Sequence, residues 1–347
     1  MSLAMTPASH RLWLDKVREP IVEPELPIVD AHHHLWTGYG KPVPWQPDYW
    51  LADFAEDLFS GHRIIATVFV ECGYNYRTTG PDALKPVGEV ETLDRFATEF
   101  AKAYGERCKA CAAIVGHADF RLGATVEETL EAQVLTSPRR FRGIRQITNY
   151  DPSPEVNYPG FALPPGLLLD AKFQEGFARL ANFGLSFDAW LFHPQIRDII
   201  VLAQRNPYIP IIVDHFGGPV GIGPYAGKRE EIKAQWKKDC ADLARLPNVV
   251  MKIGGINMEH AGFHWHERPL PPTSDEVIAA CGDYFRHAID CFGPDRCMFE
   301  SNVPVDKVSF SYVTLWNAFK KLSARFGPTE RTAMFSGTAR RTYRMGI

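Results

Sequence analysis

No hydrophobic run in this chain is long enough to span a bilayer, and its opening residues mix Pro, Glu and Arg too freely for a secretory signal. Charge of one sign is equally lacking, since 38 Lys and Arg stand against 41 Asp and Glu, a formal net charge of −3. With no basic footprint, nucleic acid and anionic membranes are not expected as partners, and a small molecule is the default. Self-association is left open. Cysteine is sparse and odd in number, seven in 347 residues, and scattered through apolar segments. That suits reduced thiols rather than a disulfide framework, and the chain reads as cytoplasmic. Cys108-Lys109-Ala110-Cys111 is formally a CxxC, but no second pair accompanies it, and Cys111 sits inside an apolar strand. Both thiols read as core.

Internal repeats, low-complexity tracts and linkers are also missing, so nothing divides the chain. What is present is an alternation of short apolar runs with longer helical patterns, the signature of repeated βα units around a parallel sheet. After the run that starts at Ile28 come 64–70, 110–115, 141–146, 185–191, 211–215, 249–253 and 297–302. Helical patterns fall at 90–104, 126–136, 172–183, 196–205, 228–246, 274–292 and 313–326, with Gly and Pro at most junctions. Eight such runs predict a closed α/β barrel, a (β/α)8 or TIM barrel, as a single domain over 27–347 behind an N-terminal extension at 1–26.

The run Ile28-Val29-Asp30-Ala31-His32-His33-His34 then carries the most chemistry. Residues spaced i, i+2 on a strand share a face, so Asp30, His32 and His34 are expected to point into one cavity. In a barrel of this kind the site lies at the carboxyl ends of the strands, and those ends are densely ionisable. Strand two ends in Glu71, strand four in Arg145, and strand five in Asp188 and Trp190. Strand six ends in Asp214 and His215, strand seven carries Lys252, and strand eight carries Glu300 and Asn302.

The strand-one HxH, the Asp-His-Phe-Gly-Gly-Pro turn at 214–219 and Phe299-Glu300-Ser301-Asn302-Val303-Pro304 resemble the amidohydrolase superfamily. Within amidohydrolase family 2 the nearest branch is that of sugar-acid and pyrone dicarboxylate lactonases, and the resemblance covers the chain from about Pro27 onward. It implies that His32, His34 and His215 gather at a substrate carbonyl. It also implies an Asp on strand eight that activates water, where this chain has Asn302. An amide cannot take a proton from water at neutral pH, so another group must act. Glu300 is the first substitute, ahead of Glu71 and Asp306; the alternative is that Glu300 is a buried partner of Lys252 or Arg145.

Three imidazoles suffice for one catalytic zinc with an open position, so His32, His34 and His215 are the metal ligands if a metal is bound. Metal-free catalysis stays open. A two-metal site is not expected, because Arg145 stands where the resemblance calls for a bridging lysine or glutamate, and strand five offers Asp188, with His193 only in the loop beyond. Arg145 and Lys252 either grip an anionic substrate or balance Glu71, Asp188 and Glu300. Trp36, Tyr74, Tyr76 and Trp190 offer a wall for a ring. The substrate-binding set is therefore Arg145, Lys252, Glu71, Asp188, Trp190 and Tyr76. The segment 254–274 is long for a βα loop and is expected to be a solvated lid, including His264 and His266. The expected activity is hydrolysis of a small carboxylated or sugar-acid lactone. Two alternatives are a metal-dependent decarboxylase of an aromatic or enol acid, and a small-molecule binding protein on a degenerate scaffold.

Overall fold

In the computed structural model, which describes residues 6–38, 43–157 and 163–347, eight strands form one sheet in chain order. They are β1 (Ile28–His33), β2 (Ile64–Val70), β3 (Lys109–Gly116), β4 (Phe141–Arg145), β5 (Ser186–Ala189), β6 (Ile211–Val213), β7 (Val249–Ile253) and β8 (Cys297–Phe299). Every neighbouring pair is parallel. The ring closes beyond β8, where His33 bridges Val303, Asn302 N–H donates to His32 O, and His34 N–H donates to Val303 O. This is the (β/α)8 barrel expected from the eight apolar runs.

Small and β-branched residues fill the lumen. Val29, Ala31, Ala66, Val68, Val70, Ala113, Val115, Ile212 and Met298 pack together, and Ala339, Tyr343 and Met345 from the C-terminal segment join them at the floor. A second, larger cluster lies between strands and helices, with Phe54, Phe96, Phe100, Phe177, Phe187, Trp236, Phe285, Phe299 and Phe319 buried in it. Cys108 and Cys111 belong to this layer, and all seven cysteines are free thiols.

One expectation on β1 fails. Asp30 pairs with Thr67 but His33 pairs with Phe69, so three steps on β1 oppose two on β2. This bulge breaks the alternation. Asp30 faces the helical layer, accepting hydrogen bonds from Ser301 Oγ at 2.6 Å and Tyr312 Oη at 3.0 Å, while His32 and His34 turn into the lumen. His33 stacks on Phe54 at 4.3 Å.

The helix Leu51–Leu58, not apparent in the sequence patterns, follows β1 and buries Phe54, Ala55 and Leu58. Residues 6–26 lie against the barrel. The helix Pro7–Leu14 places Trp13 Nε1 against Arg268 O at 2.9 Å, and Glu19 accepts from Ser274 Oγ at 2.7 Å. Within 254–274 the short turns Glu259–Ala261 and Trp265–Glu267 are held by Trp265 Nε1 donating to Asn257 Oδ1 and Ser309 Oγ to Asn257 O. Among the described residues, no helix is long and apolar enough to cross a membrane.

Candidate active site

Three imidazoles meet at the carboxyl end of the barrel. His32 and His34 approach through their Nε2 atoms at 3.2 Å, and the ring of His215 lies 4.6 Å from that of His32. Each is oriented from behind. His34 Nδ1 donates to Val70 O at 2.8 Å, which leaves Nε2 as the lone pair. His215 Nδ1 lies 2.6 Å from Glu300 Oε1, and the same oxygen accepts the His215 backbone N–H at 3.1 Å. Glu300 Oε2 stands 3.0 Å from His32 Nδ1, so one carboxyl addresses two rings.

The backbone that delivers these groups is unusual. β6 ends at Val213, and His215 and Phe216 adopt φ of 54° and 59°; Asn302 sits at 54°. Left-handed non-glycine residues each cost about 1–3 kcal/mol and concentrate where surrounding structure holds them for function. Gly255 (φ 65°) lies so close to His215 that any Cβ there would collide with its ring, and a Cβ on Gly254 would collide with the Glu300 backbone. Trp190 covers His215 edge-on at 4.9 Å, with His260 a further 5.3 Å from the indole, which places part of the 254–274 segment beside the site.

Below the imidazoles is a buried ionic network. Lys252 Nζ, fully buried, lies 2.7 Å from Asp188 Oδ2, 3.0 Å from Asp214 Oδ1 and 3.0 Å from His32 Nδ1. Tyr343, from the barrel floor, donates to Asp188 Oδ2 at 2.6 Å. Arg145 donates through Nε to Glu71 Oε1 at 2.8 Å and through Nη2 to the Glu71 carbonyl, with Nη1 3.9 Å from Asp214 and 3.4 Å from His32 Nε2. Both cations thus balance barrel carboxylates, which is one of the two roles the sequence left open. Burial lowers all three imidazole pKa values, His215 to about 3 and His32 and His34 well below normal; Arg145 adds to the effect at all three, and Lys252 at His32 and His215. All three are neutral at neutral pH. Burial, reinforced by Asp214, pushes Glu300 well above the carboxylate range, whereas Lys252 keeps its charge because Asp188 and Asp214 outweigh its burial.

The remaining sequence candidates fall nearby or apart. Tyr76 lies 6.3 Å from His117, and burial, then Glu89 and Glu71, push its hydroxyl pKa up against the opposing charge of Arg145. Asn302 Nδ2 donates to Asp306 Oδ1 at 2.9 Å, and burial lifts Asp306 to about 8. His193 accepts the Val220 N–H at 3.3 Å and meets Tyr225 edge-on at 5.1 Å. His264 and His266 meet Glu267 and Glu259 at 3.2 and 3.8 Å. Asp214 and Tyr343 emerge as site groups to which the sequence assigned no role. For Asp214 the signal was its place beside His215; for Tyr343 there was none.

Donor chemistry fits a divalent ion. His32, Asp214 and His215 present ligand atoms within 4.8 Å of one another, and His34 Nε2 adjoins His32. Neither oxygen of buried Asp214 makes a hydrogen bond of good geometry, despite its ionic contact with Lys252. Four buried carboxylates (Glu71, Asp188, Asp214, Glu300) face only two cations, so the network has room for further positive charge or protons. An ion taken by His32 Nε2 would displace the Arg145 contact at that atom.

A family model described as amidohydrolase matches residues 29–345, and the chain belongs to that family. This places it among the hydrolases. It is 31% identical over 341 residues to the uncharacterized protein y4mH of Sinorhizobium fredii, covering 92% of this chain and 99% of the relative. It is 26% identical over 326 residues to an L-fucono-1,5-lactonase of Burkholderia multivorans, covering 91% and 95%. Among solved structures it resembles an amidohydrolase from Burkholderia multivorans with bound Zn, at a TM-score of 0.68 and 24% identity, covering 92% and 99%.

Proposed function

We propose that the protein is a lactonase that opens a small sugar-acid lactone by water attack on the carbonyl. The observation that carries this reading is the convergence of three neutral imidazoles, two of them held by Glu300, at the mouth of the barrel. The curated relative named L-fucono-1,5-lactonase supports it. Because Arg145 and Lys252 are both spent on internal carboxylates, a polyhydroxylated ring fits the mouth better than a polyanion.

Trp190 shields one side of the imidazoles, and a lactone carbonyl set against His32, His34 and His215 would be polarised there. As water adds, it loses a proton, and the ring oxygen gains one on opening. The short Glu300 Oε1 to His215 Nδ1 contact is where that proton is held between the two events. His32, Asp214 and His215, with His34 adjoining, would hold a divalent ion, and the relative with bound Zn favours zinc. When bound, zinc supplies a Lewis acid and lowers the pKa of coordinated water to about 7.

The test is a pH-indicator assay against sugar-acid and dicarboxylate lactones, with and without added zinc or chelator. Proton release on sugar-acid lactones, abolished by His215→Ala and Glu300→Gln, supports the reading. Silence across the panel, or full activity in both variants, overturns it. One observation favours a decarboxylase instead, namely that the amide of Asn302, at the strand-eight position where the family resemblance implies an Asp, is committed to Asp306; carbon dioxide release from aromatic or enol acids would mark that outcome. A binding protein would show ligand-dependent thermal stabilisation without consumption.

A further inference from the structure

We propose that Cys240, His287 and Cys291 form a second metal site, for a thiophilic d10 cation such as zinc, on the outer helical layer away from the barrel mouth. Their Sγ and ring-nitrogen atoms lie within 4.8 Å of one another. Cys240 is on the helix Arg229–Ala244, while His287 and Cys291 are on the helix Ser274–Phe292, which packs beside it. An i, i+4 spacing on the second helix puts His287 and Cys291 on one face, and the first helix brings the other thiol to them.

Three features distinguish this group from chance neighbours in a helix interface. First, the imidazole is held in place: His287 packs edge-on against Trp236 at 5.6 Å, and its Nε2, 3.4 Å from Cys291 Sγ, donates to Lys237 O at 2.9 Å, a contact that an ion taken at that nitrogen would displace. Second, the donor set is soft and comes from both helices, two thiols and one imidazole gathered in a single cluster. Soft thiolate and imidazole donors together select zinc over the hard cations that prefer oxygen. Third, the site can be reached: Cys240 is buried, but His287 and Cys291 are only half-buried, so an ion can enter from the surface. Three protein donors leave the fourth position of a tetrahedral ion to water. Loading releases the thiol protons and ties two outer helices together, with no electron transfer.

Cobalt(II) discriminates this site from the barrel mouth, since His32, Asp214 and His215 contain no sulfur. Fully reduced protein titrated with cobalt(II) should develop a thiolate-to-cobalt charge-transfer band in the near ultraviolet. The band should survive in His32→Asn, disappear in Cys291→Ala and in Cys240→Ala, and be quenched by added zinc. In the His32→Asn background, zinc should also slow alkylation of Cys291 and raise the melting temperature, and the rise in melting temperature should not remain once Cys291→Ala is added. Absence of the band in the wild-type protein overturns the proposal. So does a band that persists in both cysteine variants, which would place the ligands elsewhere. Half-buried Cys291 makes its alanine variant the one least prone to folding loss, and Cys240→Ala is the confirming second.

Discussion

Glu300 holds His215 and His32 through the same ring position, with Oε1 2.6 Å from Nδ1 of the first and Oε2 3.0 Å from Nδ1 of the second. Glu300→Gln keeps the shape but forces an amide against two ring nitrogens and removes the shared proton. Turnover should fall by about 10²-fold or more while the circular dichroism spectrum is unchanged. A steady-state assay showing kcat within twofold of wild type would rule out a proton-holding role.

Lys252 is fully buried between Asp188 and Asp214. Lys252→Met strands both carboxylates, and breaking a buried ionic pair in this way costs about 3–5 kcal/mol. Denaturant unfolding should show that loss directly. A variant of wild-type stability would mean that water reaches the network.

Gly255 has no side chain because the ring of His215 occupies the space where one would be. Gly255→Ala should displace the imidazole, and a misplacement of roughly 1 Å lowers kcat/KM on the order of 10²-fold. Comparing kcat/KM with the melting temperature separates this local effect from general damage; unaltered catalysis would show that His215 is not required in its observed position.

Acid should loosen the N-terminal segment. His10 Nε2 donates to Lys307 O at 2.6 Å and its buried Nδ1 has no partner. Burial, with Lys307 and His266 close by, lowers its pKa from 6.5 to about 4. The undocked form takes up a proton that the docked form resists. The penalty is therefore absent above pH 6.5, grows as pH falls and saturates near 4, reaching ~3 kcal/mol at most. Hydrogen exchange in the helix Pro7–Leu14 should quicken across that window in wild type and lose the dependence in His10→Gln.

All eight strands were legible because each is a short apolar run between helical patterns, and the ionisable groups read at their ends are those that meet at the barrel mouth. Their exact ends were not. Strands five, six and eight stop short of the apolar runs, at Ala189, Val213 and Phe299. For the last two, positive-φ residues at His215 and Asn302 turn the chain, and no local propensity announces such a turn at His or Asn within an apolar run. The bulge that removes Asp30 from the lumen depends on pairing with β2, a tertiary relation invisible in the alternation of β1 itself. The partners of Lys252 and Arg145 were hidden for the same reason, since a strand end shows that a charge is present but not which carboxylate, 64 or 74 residues away, meets it.

The ring is shut by Asn302 N–H reaching His32 O, directly beneath the imidazoles. That contact joins segments some 270 residues apart, as does Ser301 with Asp30. Loop-closure entropy makes such joins late events in folding. The cluster of imidazoles is therefore a fastener for the whole molecule: on refolding, activity should return after helical signal, and any strain that parts the seam between the first and last strands should abolish activity before the protein melts.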